Sequence, residues 1–205
     1  MSPSSMRVIH PDPFACDTMR ERFDNAAGIE VLCGSFPLMP TVDCFVTAGN
    51  SYGIMNAGID ASVRARLGHG IMAAVQRIIV GEYFGEQPIG TAFALRTNDP
   101  DFPVLIHAPT MRVPGSIVGT DAVYRATFAS LVCAAKWTDH KNESIAFPAM
   151  GTGFGAVSFD ECARQMRVAW EHFRNPPTVI GENWDLVLDR ERAITMDGTE
   201  RRVRK

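Results

Sequence analysis

No stretch of this chain approaches the roughly 20 consecutive apolar residues that a membrane-spanning helix needs. Each apolar run is cut short by Gly, Pro or a charged residue, so no membrane partner is expected. The opening Met1-Ser-Pro-Ser-Ser-Met6 has neither the basic region nor the apolar run of a secretory signal. It reads as a short flexible lead-in, and a cytoplasmic location is expected. Zinc-ligand spacing is missing too. The cysteines Cys16, Cys33, Cys44, Cys133 and Cys162 are widely spread, with no Cys-x-x-Cys and no nearby His. They read as reduced thiols, mostly in the core, and neither a metal nor a cofactor is expected. Charge of one sign is scarce: a formal net charge of −3 excludes a broad basic footprint for nucleic acid. Nucleic acid is therefore expected only as a modified substrate. The basic concentrations are Arg190-Glu-Arg192 and the tail Arg201-Arg-Val-Arg-Lys205, read as solvated.

What is present is enough apolar residue for one full core: 46% of 205 residues are hydrophobic. A single domain over 1–205 is the expectation. No internal repeat or low-complexity linker divides the chain. Short apolar runs of strand character lie at Ile29 to Cys33, Val42 to Thr47, Ile89 to Leu95, Val104 to His107, Ser144 to Phe147 and Trp184 to Leu188. Helical patterns fall between them, at Gly58 to Leu67, Ile71 to Gly81, from Thr120 onward, and from Ser158 to about Phe173. Ser158-Phe-Asp-Glu161 has the form of a capping box, in which the Ser oxygen and the Glu carboxylate satisfy backbone donors reciprocally. Asn98-Asp-Pro-Asp101 reads as a turn that pairs its flanking strands antiparallel. The alternation predicts an α/β three-layer sandwich around a mixed, mainly parallel sheet.

The sharpest local signal is Phe147-Pro-Ala-Met-Gly-Thr-Gly-Phe-Gly155, set between a strand and the capped helix. Its glycines free the backbone to approach a ligand. Successive amides in such a turn form an anion-binding nest, for which phosphate or diphosphate is the natural guest. Neutral amides do this work even in an acidic protein. The loop lies too late in the chain for a dinucleotide fingerprint, and no Lys-Ser or Lys-Thr follows it, which excludes a P-loop. Glycine-rich turns without a ligand also occur, so the loop gains meaning only from company.

That company is the segment Val42 to Ser62, which runs from an apolar strand through a polar loop of small residues into a helix. Asn50 falls at the carboxyl end of the strand, where ligands collect in open α/β sheets. Asp60 falls in the first helical turn, where by itself it reads first as a partner of the helix dipole.

Together the two segments resemble the macrodomain family: a strand ending in an Asn-containing turn, a loop leading to Ile59-Asp60 at a helix start, the strand Leu105-Ile-His-Ala-Pro109, and a later Gly-x-Gly loop. The similarity spans about Ile29 to Phe173. It implies the macrodomain fold and a cleft for ADP-ribose or an ADP-ribosylated substrate. By the resemblance, Asn50 and Asp60 are the catalytic pair at the distal ribose, flanked by Ala48, Gly49, Gly58 and Ile59. Gly151, Thr152, Gly153, Phe154 and Gly155 are the diphosphate loop, with Phe154 against the distal ribose. The Gly-Asp that family members carry near the end of the early strand is Gly34-Ser35 here, which leaves the identity of the base open. Ser35 is then expected to hydrogen-bond and Phe36 to stack against it. Thr47 replaces the first Asn of the family's turn, and Met55-Asn-Ala-Gly58 replaces a run of glycines.

The resemblance implies three functions that differ in chemistry: a hydrolase removing ADP-ribose from a modified target, a binding module without turnover, and an ADP-ribose 1″-phosphate phosphatase. A nucleotide oxidoreductase would need a second binding half, which this chain is too short to supply. His107, at a strand end, reads as a core histidine. Arg112 reaches a phosphate only if its proline-bounded loop folds over the cleft, and Asp189 and Arg190 are candidates for the border of the base end.

Overall fold

The computed structural model describes residues 2–139 and 142–195; the basic tail Arg201–Lys205 lies outside them. The first surprise is at the start of the chain. Ser5–His10 forms a strand, β1, and Pro13–Arg22 a helix, α1. The flexible lead-in expected there is therefore shorter, because Met6 and Val8 are fully buried. The helix start is well marked in retrospect: Asp12 accepts from the Phe14 amide and Pro13 occupies the first turn, where its missing N–H is no loss.

The remaining elements are β2 (Ile29–Cys33), a short 3-10 turn (Phe36–Leu38), β3 (Cys44–Thr47), α2 (Gly58–Leu67), α3 (Gly70–Glu82), β4 (Phe93–Arg96), β5 (Val104–His107), α4 (Ala122–Lys136), β6 (Ser144–Pro148), α5 (Phe159–Arg174) and α6 (Trp184–Ile194). The sheet order is β2-β1-β6-β3-β5-β4. Every pairing is parallel except β4 with β5, the antiparallel pair expected across the Asn98–Asp101 turn. This is the α/β sandwich with a mixed, mainly parallel sheet that the sequence predicts. β4 begins only at Phe93, since Pro88 accepts from Thr91 in a turn and Gly90 holds φ +89°.

Strand alternation sorts the core onto two faces. Val8, Val46, Ile106 and Phe147 pack with α1, α4 and α5, including Trp170, whereas Ile9, Phe45 and Leu105 pack with α2 and α3. Each fully buried side chain of this size contributes roughly 1.5–3 kcal/mol. Cys16, Cys44 and Cys162 are buried free thiols, Cys133 is half-buried and Cys33 is exposed.

Two local expectations are corrected. Trp184 to Leu188 is the start of α6 and not a strand: the Asn183 side chain caps the Leu186 amide, Asp185 sits in the first turn, and no residue of the helix is buried. A short apolar run does not distinguish helix from strand, and the charged residues after it carry the helical period. At α5, Ser158 Oγ does accept from the Glu161 amide at 3.2 Å, but the Glu161 carboxylate is taken by Arg164 and Gln165. Only half of the capping box forms.

Candidate ligand-binding cleft

Parallel pairing puts the carboxyl ends of β1, β2, β3, β5 and β6 along one edge of the sheet. The chain leaves each of them through a loop, and these loops enclose a cleft of about 430 Å³. The residues that the resemblance assigns to the site all line it: Ser35 and Phe36 after β2, Ala48, Gly49 and Asn50 after β3, Gly58, Ile59 and Asp60 at the start of α2, and Gly151, Thr152, Gly153, Phe154 and Gly155 after β6. The same cleft is lined by residues that sequence reasoning missed. His10 and Pro11 come from the end of β1, and Thr110 and Met111 from the loop after β5. The Asp12-Pro13 helix start was the signal that would have exposed β1 and, with it, His10.

The loop after β6 is built around its glycines. Gly151 has φ +74° and its carbonyl accepts from the Val157 amide at 3.2 Å. A Cβ on Gly155 would meet the Gly151 oxygen at 2.3 Å, so only glycine fits there, whereas a Cβ on Gly153 would project into open space. The amides of Ala156 and Val157 close the turn. Those of Thr152, Gly153, Phe154 and Gly155 donate to no protein group among the described residues, which is the condition for an anion nest. Phe154 stands exposed at the mouth, as does Ile54.

Asn50 folds its own loop. Its Oδ1 accepts from the amides of Tyr52 and Ile54 at 3.1 and 3.3 Å, and its Nδ2 donates to the Ile54 carbonyl at 2.9 Å. Tyr52 in turn donates to Glu86, which receives two hydrogen bonds from Arg112 at 2.6 and 2.9 Å. Arg112 thus fastens the loop after β5 to the Asn50 loop and does not turn over the cleft. Met55 is fully buried, so the bulk that replaces glycine in this loop points to the core and not to the ligand space.

Asp60 is 6% exposed, and its carboxylate accepts a hydrogen bond from Thr47, itself fully buried at the end of β3. Burial pushes the Asp60 carboxyl up to about 6, against the opposing pull of the Thr47 hydroxyl. A carboxyl that titrates near neutrality inside a cleft is suited to proton transfer.

Three side chains resolve differently. His107 is fully buried, hydrogen-bonded through Nδ1 to Gln87 Oε1 at 2.6 Å and stacked on Phe93. Burial pushes it down to about 4, which makes it a neutral core histidine. Phe36 is 3% exposed and its ring centroid lies 4.1 Å from that of Phe45 and 4.8 Å from that of Phe102 within the core, so it does not form a free platform for a base. Arg190 donates to the carbonyls of His172 and Asn175, and Asp189 pairs with Arg192. Both residues belong to α6 and neither lines the cleft.

A mixed, mainly parallel sheet with a glycine loop and a buried carboxyl at its strand ends has its cleft where ligands collect in open α/β sheets. A family model described as Macro domain matches residues 46–166, and the chain belongs to that family. An uncharacterized protein of Aquifex aeolicus is 32% identical over 139 residues, covering 67% of this chain and 78% of its own. One of Aeropyrum pernix is 30% identical over 129 residues, and one of Mycobacterium tuberculosis 34% over 112; this chain spans 62% and 30% of their respective lengths. Among solved structures, the macrodomain of Mycobacterium tuberculosis DarG has a TM-score of 0.57 at 20% identity, covering 69% of this chain and 88% of that one. An Oceanobacillus iheyensis macrodomain mutant with ADPR has a TM-score of 0.56 at 20% identity, covering 66% and 71%. These likenesses agree on the fold. No helix among the described residues is long and apolar enough to cross a membrane.

Proposed function

We propose that the cleft binds a nucleoside diphosphate ribose, with ADP-ribose as the first ligand to test, and that the chain hydrolyses an ADP-ribosyl linkage. The observation that carries this reading is the pairing of two chemistries in one cleft. Unsatisfied amides of Thr152 to Gly155 suit a diphosphate, and a carboxyl at Asp60 titrating at about 6 suits a reaction at the adjoining ribose. The solved neighbour with ADPR supports the choice of ligand. Asp60 in its ionised form would take a proton from a water at the anomeric carbon, a role worth typically ~10²–10⁴-fold. The glycine loop would hold the diphosphate so that this carbon stays within reach.

Two observations favour a binding module without turnover: Asn50 spends its amide on its own loop, and Asp60 is largely enclosed. Asp60→Ala separates the two readings. In the hydrolase, the variant binds ADP-ribose with affinity close to the parent protein and releases no ADP-ribose from a modified target. Equal turnover by parent and variant removes Asp60 from the mechanism, and absence of turnover in the parent on ADP-ribosylated proteins and on ADP-ribose 1″-phosphate leaves the binding module.

A further inference from the structure

The cleft runs across the strand ends in the order of the sheet. The glycine loop follows β6, which lies between β3 and β1. If the diphosphate sits there with the reacting ribose toward Asn50 and Asp60, the nucleoside lies on the other side, over β1 and β2. Those ends are about 5–10 Å further along at the ordinary strand spacing. Residues that wall that region include His10, Gly34 and Ser35. The Gly34 amide donates to the His10 carbonyl at 2.9 Å, so the two strand ends form one surface.

His10 is held in a defined orientation and protonation state. Its Nδ1 accepts from the Asp12 amide at 3.2 Å, and its ring meets Phe159 edge-on at 4.9 Å. Burial lowers its pKa, with Asp12 opposing, so the ring is neutral at pH 7. An Nδ1 that accepts leaves the single proton on Nε2. Nε2 has no partner among the described residues. The side chain, part of the cleft wall, therefore carries one unpartnered donor. No carboxylate faces it there: Asp12 is occupied in capping the Phe14 amide and is not part of the cleft wall. Phe36, the other candidate for reading the base, is committed to the core.

We propose that His10 is the specificity-determining residue at the nucleoside end, where its Nε2–H donates to an acceptor on the base edge and favours a 6-oxopurine over adenine. Adenine offers an amino donor at the position where a 6-oxopurine offers a carbonyl. With these donors, His10 Nε2–H and the Ser35 hydroxyl, facing position 6 and not N1, the carbonyl is satisfied and the amino group finds no acceptor side chain other than the Ser35 oxygen. This inference rests on the reading of the cleft as a nucleoside diphosphate ribose site.

The test is calorimetric titration of the full chain with ADP-ribose and with its inosine counterpart, which differs only on that edge of the base. The parent protein is expected to bind the inosine compound about tenfold more tightly, the worth of one hydrogen bond matched against one left unmade. His10→Phe, which removes the donor, should bring the two affinities together. His10→Lys, whose ammonium only donates, should keep the preference and guards against a folding defect in the first variant. Equal affinity for both compounds in the parent, or a preference unchanged by His10→Phe, overturns the role of His10 and leaves the cleft reading intact. Failure of the parent to bind either compound overturns the cleft reading, and the role of His10 with it.

Discussion

Thr47 and Asp60 share a hydrogen bond that neither can replace from solvent, since Thr47 is fully buried and Asp60 is 6% exposed. Thr47 occupies the last position of β3 and Asp60 the first turn of α2. Their contact ties the strand that carries Asn50 to the helix that carries the carboxyl. The hydroxyl stabilises the ionised form, while the surrounding protein opposes it more strongly. Hydrolysis that needs Asp60 ionised should rise with pH through about 6. Thr47→Val removes the donor, so the rising limb should move to higher pH, and Thr47→Ser should restore it. A pH profile of kcat/KM on an ADP-ribosylated protein reads both shifts, and an unchanged profile in Thr47→Val contradicts the role of the contact.

The same carboxyl acts on stability. Asp60 titrates near 3.8 when free and at about 6 in the fold, so the folded chain holds this proton more firmly than the unfolded one. Stability from this group is full below about pH 4 and is lost as pH rises through about 6, by on the order of 3 kcal/mol. Asp60→Asn keeps an oxygen for Thr47 and carries no charge. Urea unfolding at pH 7.5 should show the variant more stable than the parent, with the difference vanishing near pH 4. A less stable variant at pH 7.5 rejects this assignment.

Gly49 and His107 are a second pair with no room between them. A Cβ on Gly49 would lie 2.2 Å from His107 Nε2, and that ring is held by Gln87 and Phe93. Gly49→Ala should destabilise the fold by about 1–3 kcal/mol, the usual range for overpacking a core. Combining it with His107→Ala, which opens the space, should give a loss smaller than the sum of the two single losses. Thermal unfolding of the four proteins decides; strict additivity places the strain of Gly49→Ala elsewhere.

The loop after β6 separates Gly153 and Gly155 by role. A Cβ on Gly155 collides with backbone and one on Gly153 does not. Gly155→Ala should therefore lower Tm and disorder the amide nest, while Gly153→Ala should leave Tm unchanged. Equal Tm values for the two variants contradict the turn geometry.

The sequence made much of this legible, and the reasons are local. The exact limits of α2 follow from Gly58 at its start and Gly68 at its end, and β5 is a short uninterrupted apolar run. Both ligand loops stood out because glycines and small polar residues interrupt apolar strands, and the residues that the resemblance assigns to the site meet in one cleft. β1 was obscured by its closeness to the start of the chain and by Arg7 in its middle, although Met6 and Val8 keep the alternation of a half-buried strand. His10 went with it. Trp184 to Leu188 misled because its apolar residues belong to a helix that buries none of them. The ring of Phe36 could not be assigned from sequence, since whether an aromatic faces a cleft or its own core is decided by partners distant in the chain, here Phe45 and Phe102. The Thr47–Asp60 contact is of the same kind.

The central claim is that the cleft holds a nucleoside diphosphate ribose through the loop after β6, and calorimetric titration of ADP-ribose into the parent chain and Gly155→Ala tests it most directly. The account predicts saturable one-to-one binding by the parent, weakened at least about tenfold in the variant as the diphosphate loses its aligned donors. Absence of binding by the parent, or equal affinity in a folded Gly155→Ala protein, contradicts it.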